Sequence, residues 1–169
     1  MNILYIYGLD SKLSPEKRAV LENYGEVFIP NIDYYNDSQA IESIFSQMKN
    51  SNIDCVIGSS MGGFAGFYIS TILGVPALLF NPALEERSVE QQVPDLQILR
   101  RTRKKFLLGA IDEVINPQDT LRFISRYINE HTDFHLHVMP GLTHNIPINI
   151  FEEEVKNFFS EIGKKPNTS

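Results

Sequence analysis

The chain has one cysteine, fewer basic than acidic residues, and no long apolar run. A lone Cys55 excludes an intramolecular disulfide framework and fits a reducing compartment. It falls within an expected central strand, where a thiol is buried and unreactive. The 15 lysines and arginines against 21 aspartates and glutamates leave a net charge of −6. That is the wrong balance for a general nucleic-acid binder, which carries a basic face to replace phosphate counterions. The single basic run, Arg100 to Lys105, reads as a solvated surface segment rather than an anion site. No apolar stretch approaches the roughly 20 residues a membrane-spanning helix requires. The N-terminal Ile3-Leu4-Tyr5-Ile6-Tyr7 has neither a basic leader nor a small-residue cleavage site. The expectation is a cytoplasmic protein without a membrane span. Its oligomeric state stays open.

What is present is alternation. Short apolar runs at Asn2–Tyr7, Glu26–Pro30, Ile53–Gly58, Ala77–Asn81, Lys105–Ile111 and Phe134–Met139 are separated by helical patterns, the signature of a parallel sheet covered by helices. Most of these runs are continuously apolar, as strands buried on both faces are. Ser14 before Pro15, Asp37 or Ser38 before Ile41, and Asn116 before Pro117 mark helix starts. A last helix is expected from Asn149 to Ile162, where Ile150, Phe151, Val155, Phe158, Phe159 and Ile162 recur at helical spacing and form a core stripe. No repeat, low-complexity tract or second domain interrupts this, so residues 1–169 read as one domain. With 43% hydrophobic residues, a chain of this length can bury roughly 70% of its unfolded surface. The stretch 83–104, charged and containing Pro94, breaks the alternation and reads either as a small lid or pocket wall or as a plain surface helix with a linker. The terminal residues 164–169 are expected to fray.

Between the third strand and its helix lies Gly58-Ser59-Ser60-Met61-Gly62-Gly63. In a strand–turn–helix context, G-x-S-x-G places a serine at the tip of a strained turn with its hydroxyl above the sheet. Gly58 and Gly62 flank Ser60 where a Cβ would clash. Ser59 is flanked by Ile57 and Met61 and fails that requirement. A phosphate loop is excluded because Phe64 and Ala65 stand where its lysine and hydroxyl belong. A dinucleotide fingerprint fails because Ser60 stands where its second glycine belongs.

A serine hydroxyl needs a base, and the base needs a third group to orient it. On this arrangement the order is Ser, acid, His, with acid and base in loops at the carboxyl edge of the sheet. Asp112 follows the fifth strand and is the chosen acid, with Glu113 and Asp119 as neighbouring alternatives. Of four histidines, His144 lies in the loop after the sixth strand and is the chosen base. His131 precedes that strand, at the other edge. His135 and His137 share one strand face with Asp133 and read as polar residues of an edge strand. A metal site from these three is the weaker reading, because one straight strand face converges poorly. The oxyanion formed in acyl transfer would be held by the backbone N–H of Met61 and of Leu9, with Gly8 permitting the turn.

With these residues in order, the chain resembles the α/β-hydrolase superfamily, and more narrowly the small bacterial YqiA-type esterases. Tyr7-Gly8-Leu9, Gly58 to Gly62, Asn81-Pro82-Ala83 and Gly141-Leu142-Thr143-His144 match that group's motifs, with Tyr7 and Leu9 replacing the usual histidine and phenylalanine. The resemblance implies a three-layer α/β/α sandwich, a minimal hydrolase fold whose six-stranded parallel sheet has the order 2-1-3-4-5-6. It implies a serine hydrolase of the esterase or thioesterase type, cleaving a small acyl ester through an acyl-enzyme, with no metal or organic cofactor. Asp10, near the site, would disfavour anionic substrates. The alternative is a non-catalytic binding protein on the same fold.

Overall fold

A computed structural model of the chain describes residues 1–94, 102–130 and 132–163. His131, Arg100, Arg101, residues 95–99 of the expected lid and the 164–169 tail lie outside the described residues. The described residues form six strands, β1 (Asn2–Ile6), β2 (Glu26–Phe28), β3 (Cys55–Ser59), β4 (Ala77–Phe80), β5 (Arg103–Gly109) and β6 (Asp133–Met139), and five helices. The helices are α1 (Pro15–Glu22), α2 (Ala40–Met48), α3 (Met61–Leu73), α4 (Pro117–Ser125) and α5 (Ile148–Glu161). All strand pairs are parallel and the order is β2-β1-β3-β4-β5-β6. The order reverses between β1 and β3, so the loops after these two strands open onto the same crevice at the carboxyl edge.

Side-chain alternation along the central strands produces the layers. Leu4, Ile6, Val56, Leu79, Phe106 and Leu108 point to one face, where α2, α3 and α4 supply Ile44, Phe64, Phe67 and Phe123. Ile3, Tyr5, Cys55, Ile57, Phe80 and Leu107 point to the other, where α1 and α5 supply Leu21, Phe151, Val155, Phe158 and Phe159. A one-residue slip in any strand would exchange these sets, which is why register is strongly specified. Phe67 packs edge-on to Tyr68, Phe123, Tyr127 and Phe134; truncating it to alanine should cost about 3–5 kcal/mol. Helix α3 is buried from Met61 to Thr71 and ends at Gly74 in the left-handed conformation. Burial holds the Cys55 thiol above its usual range and pushes the Tyr5 hydroxyl up to about 12.

Two boundaries differ from the sequence reading. Helix α2 is capped at Gln39, not at Asp37 or Ser38, and makes no side-chain cap of its own. Asp37 instead accepts from the Gln39 N–H at 2.8 Å, and the buried Gln91 accepts from the Ala40 N–H at 3.1 Å. A residue 51 positions away does the capping, which no local pattern encodes. The second difference is at β5, which begins at Arg103, so the run expected to be solvated enters the sheet. Lys104 and Lys105 are only 2% and 8% exposed. Lys105 lies 2.8 Å from Glu161 and 3.3 Å from Glu154, while Lys104 points to the opposite face and donates to Thr102 Oγ1 at 2.7 Å.

Candidate active site

Ser60 stands between β3 and α3 with φ 55° and ψ −121°, a conformation that costs a non-glycine residue on the order of 1–3 kcal/mol. Its backbone is held there. Ser60 N–H donates to the Phe80 carbonyl at 2.9 Å, and its own carbonyl accepts from Phe64 and Ala83 at 3.0 and 3.1 Å. The flanking glycines are steric necessities: a Cβ on Gly58 would overlap the Gly62 carbonyl, and one on Gly62 would overlap the Ile6 carbonyl. Met61 is the first residue of α3, so its N–H has no partner within the helix and lies at the positive end of the helix dipole. The loop after β1 crosses directly over the elbow. A Cβ on Gly8 would sit 3.0 Å from Ser60 Cβ and 3.1 Å from the Ser59 carbonyl. Ser11 Oγ donates to the Gly8 carbonyl at 3.1 Å, and Tyr34 Oη to the Tyr7 carbonyl at 3.0 Å, fixing the segment that carries Leu9.

His144 Nδ1 lies 2.8 Å from Asp112 Oδ2. A carboxylate only accepts, so Nδ1 carries the proton and Nε2 keeps its lone pair for another group. The Asp112 side chain is 1% exposed and the His144 side chain 24%. The other carboxylate oxygen accepts from the backbone N–H of Val114 and Ile115 at 2.8 and 2.9 Å, so each acceptor atom is satisfied and the carboxyl cannot swing. Of the two alternative acids, Glu113 is exposed and Asp119 sits in α4 paired with Arg122. The loops bearing Asp112 and His144 are tied together, the Ile111 N–H donating to the Leu142 carbonyl at 3.2 Å.

The other two described histidines face other carboxylates. His135 Nε2 faces Asp133 Oδ1 at 3.0 Å, whereas His137 Nδ1 faces Glu154 Oε1 of α5 at 2.6 Å. Among the described residues no three histidine, cysteine or carboxylate side chains converge as a metal site. No helix among them is long and apolar enough to cross a membrane.

Along the loop after β1 a cavity of about 700 Å³ is lined by Tyr7, Gly8, Leu9, Asp10, Tyr34 and Tyr35, among others. Tyr35 Oη donates to Asp10 Oδ2 at 2.7 Å, and that bond holds the phenol above its usual range. A second cavity, of about 290 Å³, reaches Asp112 and is lined by Glu85, Glu86, Glu113 and Asp119. Residues 83–94 carry no helix or strand and pack along this region, with Arg87 over the Phe64 ring and Gln91 donating to the Tyr34 and Asp37 carbonyls.

Residues 2–111 match the model of Uncharacterised protein family (UPF0227). The chain belongs to this family. Its fold is that of the α/β hydrolases, shared with solved structures at low identity. Est1E from Butyrivibrio proteoclasticus superposes with a TM-score of 0.67 at 16% identity, over 95% of this chain and 87% of that one. A structure described as a predicted CIB-like hydrolase from Thermoplasma acidophilum gives 0.66 at 18% identity, over 95% and 85%. An uncharacterised protein from Bacillus cereus gives 0.71 at 16% identity, over 95% of this chain. The chain spans 59% of the length of that Bacillus cereus protein.

Two features of the region are not foreseeable from motif spacing. One is the double amide anchor on Asp112; the other is Asn81, which is 2% exposed and in the left-handed region at φ 41°. An Asn-Pro pair directly after a strand is the only local hint of the latter.

Proposed function

We propose that this UPF0227 protein is a serine hydrolase of the esterase or thioesterase type, acting on a small acyl ester. Ser60 attacks the carbonyl carbon. His144 takes the hydroxyl proton at Nε2 and later delivers it to the leaving group, while Asp112 stabilises the imidazolium through Nδ1–H. The Met61 and Leu9 amides hold the oxyanion; removing such a donor costs about 3–4 kcal/mol of transition-state stabilisation. Water then attacks the acyl-enzyme, with His144 acting in reverse. The chemistry requires no metal or organic cofactor, since nucleophile, base and oxyanion donors all come from the chain.

The observation that carries the reading is the His144–Asp112 hydrogen bond at 2.8 Å, at the same sheet edge as a serine in a strained, positive-φ turn. Strain of this kind clusters at functional sites and is unprofitable in an ordinary turn. We take residues 83–94 as one wall of the substrate pocket within a single domain. The Asp10 carboxylate, at the cavity along the loop after β1, favours neutral over anionic acyl groups.

Labelling of the intact protein by a fluorophosphonate probe, together with turnover of short-chain p-nitrophenyl esters, tests this. Both are expected for the wild-type chain and neither for Ser60→Ala. Absence of labelling and turnover in the wild-type chain overturns the proposal.

A further inference from the structure

Asn81 closes β4, and every hydrogen-bonding group of its side chain is used. Oδ1 accepts from the Gly109 N–H at 2.7 Å, and Nδ2 donates to the carbonyls of Thr143 and His144, both at 3.1 Å. Its backbone N–H donates to the Leu107 carbonyl at 2.9 Å. One buried side chain thus grips the last residue of β5, three residues before Asp112, and the two peptide units that carry His144. The preceding residue, Phe80, accepts from Ser60 N–H at 2.9 Å, so one peptide bond separates the anchor of the elbow from the anchor of the histidine loop.

We propose that Asn81 is a positioning residue for His144: a clamp that joins the Asp112 loop, the His144 loop and the Ser60 elbow, acting through the backbone rather than on substrate. The proposal rests on the catalytic reading above. Its physical basis is that the loop after β6 is otherwise exposed on one side. Residues 140, 141, 143 and 145 all face solvent, and Gly141 is in the left-handed region at φ 73°. An imidazole on such a loop keeps a defined orientation only if its own peptide is fixed. Asparagine suits the task because it alone, with glutamine, offers an acceptor and two donor protons in one neutral group. It also tolerates the left-handed backbone that the sharp turn after β4 imposes.

The test uses the full chain. Folded Asn81→Ala should lose about 10–100-fold in kcat on p-nitrophenyl acetate with KM changed less than about threefold, and react with the fluorophosphonate correspondingly more slowly. Asn81→Asp keeps the acceptor for Gly109 but has only one proton to donate, to one of the two carbonyls, and only while its carboxyl is protonated. Its kcat relative to wild type should therefore fall progressively between about pH 6 and about pH 9. A contact that served stability alone would leave that ratio flat. In the wild-type chain the Asn81 side-chain amide protons should exchange with water at least about tenfold more slowly than those of the exposed Asn36, a measurement that needs neither variant to fold. Wild-type kcat in folded Asn81→Ala, or Asn81 amide protons exchanging as fast as those of Asn36, overturns the clamp. A wild-type chain that neither labels nor turns over ester removes the catalytic reading instead, and the exchange measurement then decides the clamp alone.

Discussion

Two histidines in this molecule lean on a buried carboxylate through the same ring nitrogen. His144 Nδ1 is 2.8 Å from Asp112, and His137 Nδ1 is 2.6 Å from Glu154. The carboxylate side chains are 1% and 3% exposed. Taken as pairs they are nearly equivalent, yet their surroundings differ in every respect that chemistry needs. The first stands at the carboxyl edge of the sheet, its peptide held by Asn81. The second stands midway along the edge strand β6, with Leu107 opposite it in register and its ring 45% exposed. Glu154 is also shared with Lys105, whose Nζ lies 3.3 Å from Oε2, close enough for an ion pair although Oε2 makes no hydrogen bond. A histidine–carboxylate pair is therefore only an orienting device. Whether it becomes a general base depends on what the free ring nitrogen faces.

The sharpest way to break the comparison is to remove each ring in turn. His144→Gln should lower kcat/KM for p-nitrophenyl acetate by about 10³-fold or more, whereas His137→Gln should change it by less than about threefold. Equal losses in the two variants would show that the rim pair has no special standing. Next come the carboxylates. Asp112→Asn should reduce kcat by about 10⁴-fold by favouring the wrong imidazole tautomer. Glu154→Gln should leave kcat nearly untouched but lower unfolding stability, read by urea denaturation, by about 2–3 kcal/mol, because Lys105 loses one of its two partners in a buried setting. Replacing both Glu154 and Lys105 by leucine and methionine should recover most of that loss, since no unpaired charge is then left inside. A double variant as unstable as the single one would show that the ion pair itself, rather than its imbalance, supports α5.

How far the chain announces this arrangement depends on the range of the physics involved. The Ser60 elbow is legible because the clash that demands Gly58 is with Gly62, four residues on, although Gly62 is itself demanded by the distant Ile6 and Tyr7 carbonyls. The strand order is what the family resemblance implies, while the placement of Asp112 and His144 at one rim follows from where β5 and β6 end, which apolar runs mark to within about two residues. Capping of α1 by Ser14 and of α4 by Asn116 is equally local. Gln91 on α2, Asn81 on the histidine loop and Glu154 under His137 are different. Each is a polar group whose partner lies 17 to 63 residues away, and nothing near it in sequence identifies that partner. The basic run misleads for the same reason. Composition says solvent for Arg103, Lys104 and Lys105, but β5 lies in the interior of the sheet order and carries them inward.

Lys104 and Lys105 are neighbours in sequence that handle burial in opposite ways, and this gives the finest test of what a buried charge needs. Lys105 has two carboxylates. Lys104 has, among the described residues, only a hydroxyl at 2.7 Å and the face of the Phe67 ring at 5.4 Å. Burial alone holds its ammonium down to about 7, against an ordinary value of 10.5. Between those two values the unfolded chain keeps a proton that the folded chain releases, so folding becomes more favourable as pH rises across this window. The penalty is fully felt below about pH 7. Lys104→Met should accordingly stabilise the protein at pH 7 by on the order of 2 kcal/mol, and the advantage over wild type should shrink towards zero as the pH approaches 10. Urea unfolding of both proteins at several pH values reads the difference directly. A gain that stays constant with pH would mean that methionine merely packs better against Phe67, and that Lys104 keeps its charge inside the fold.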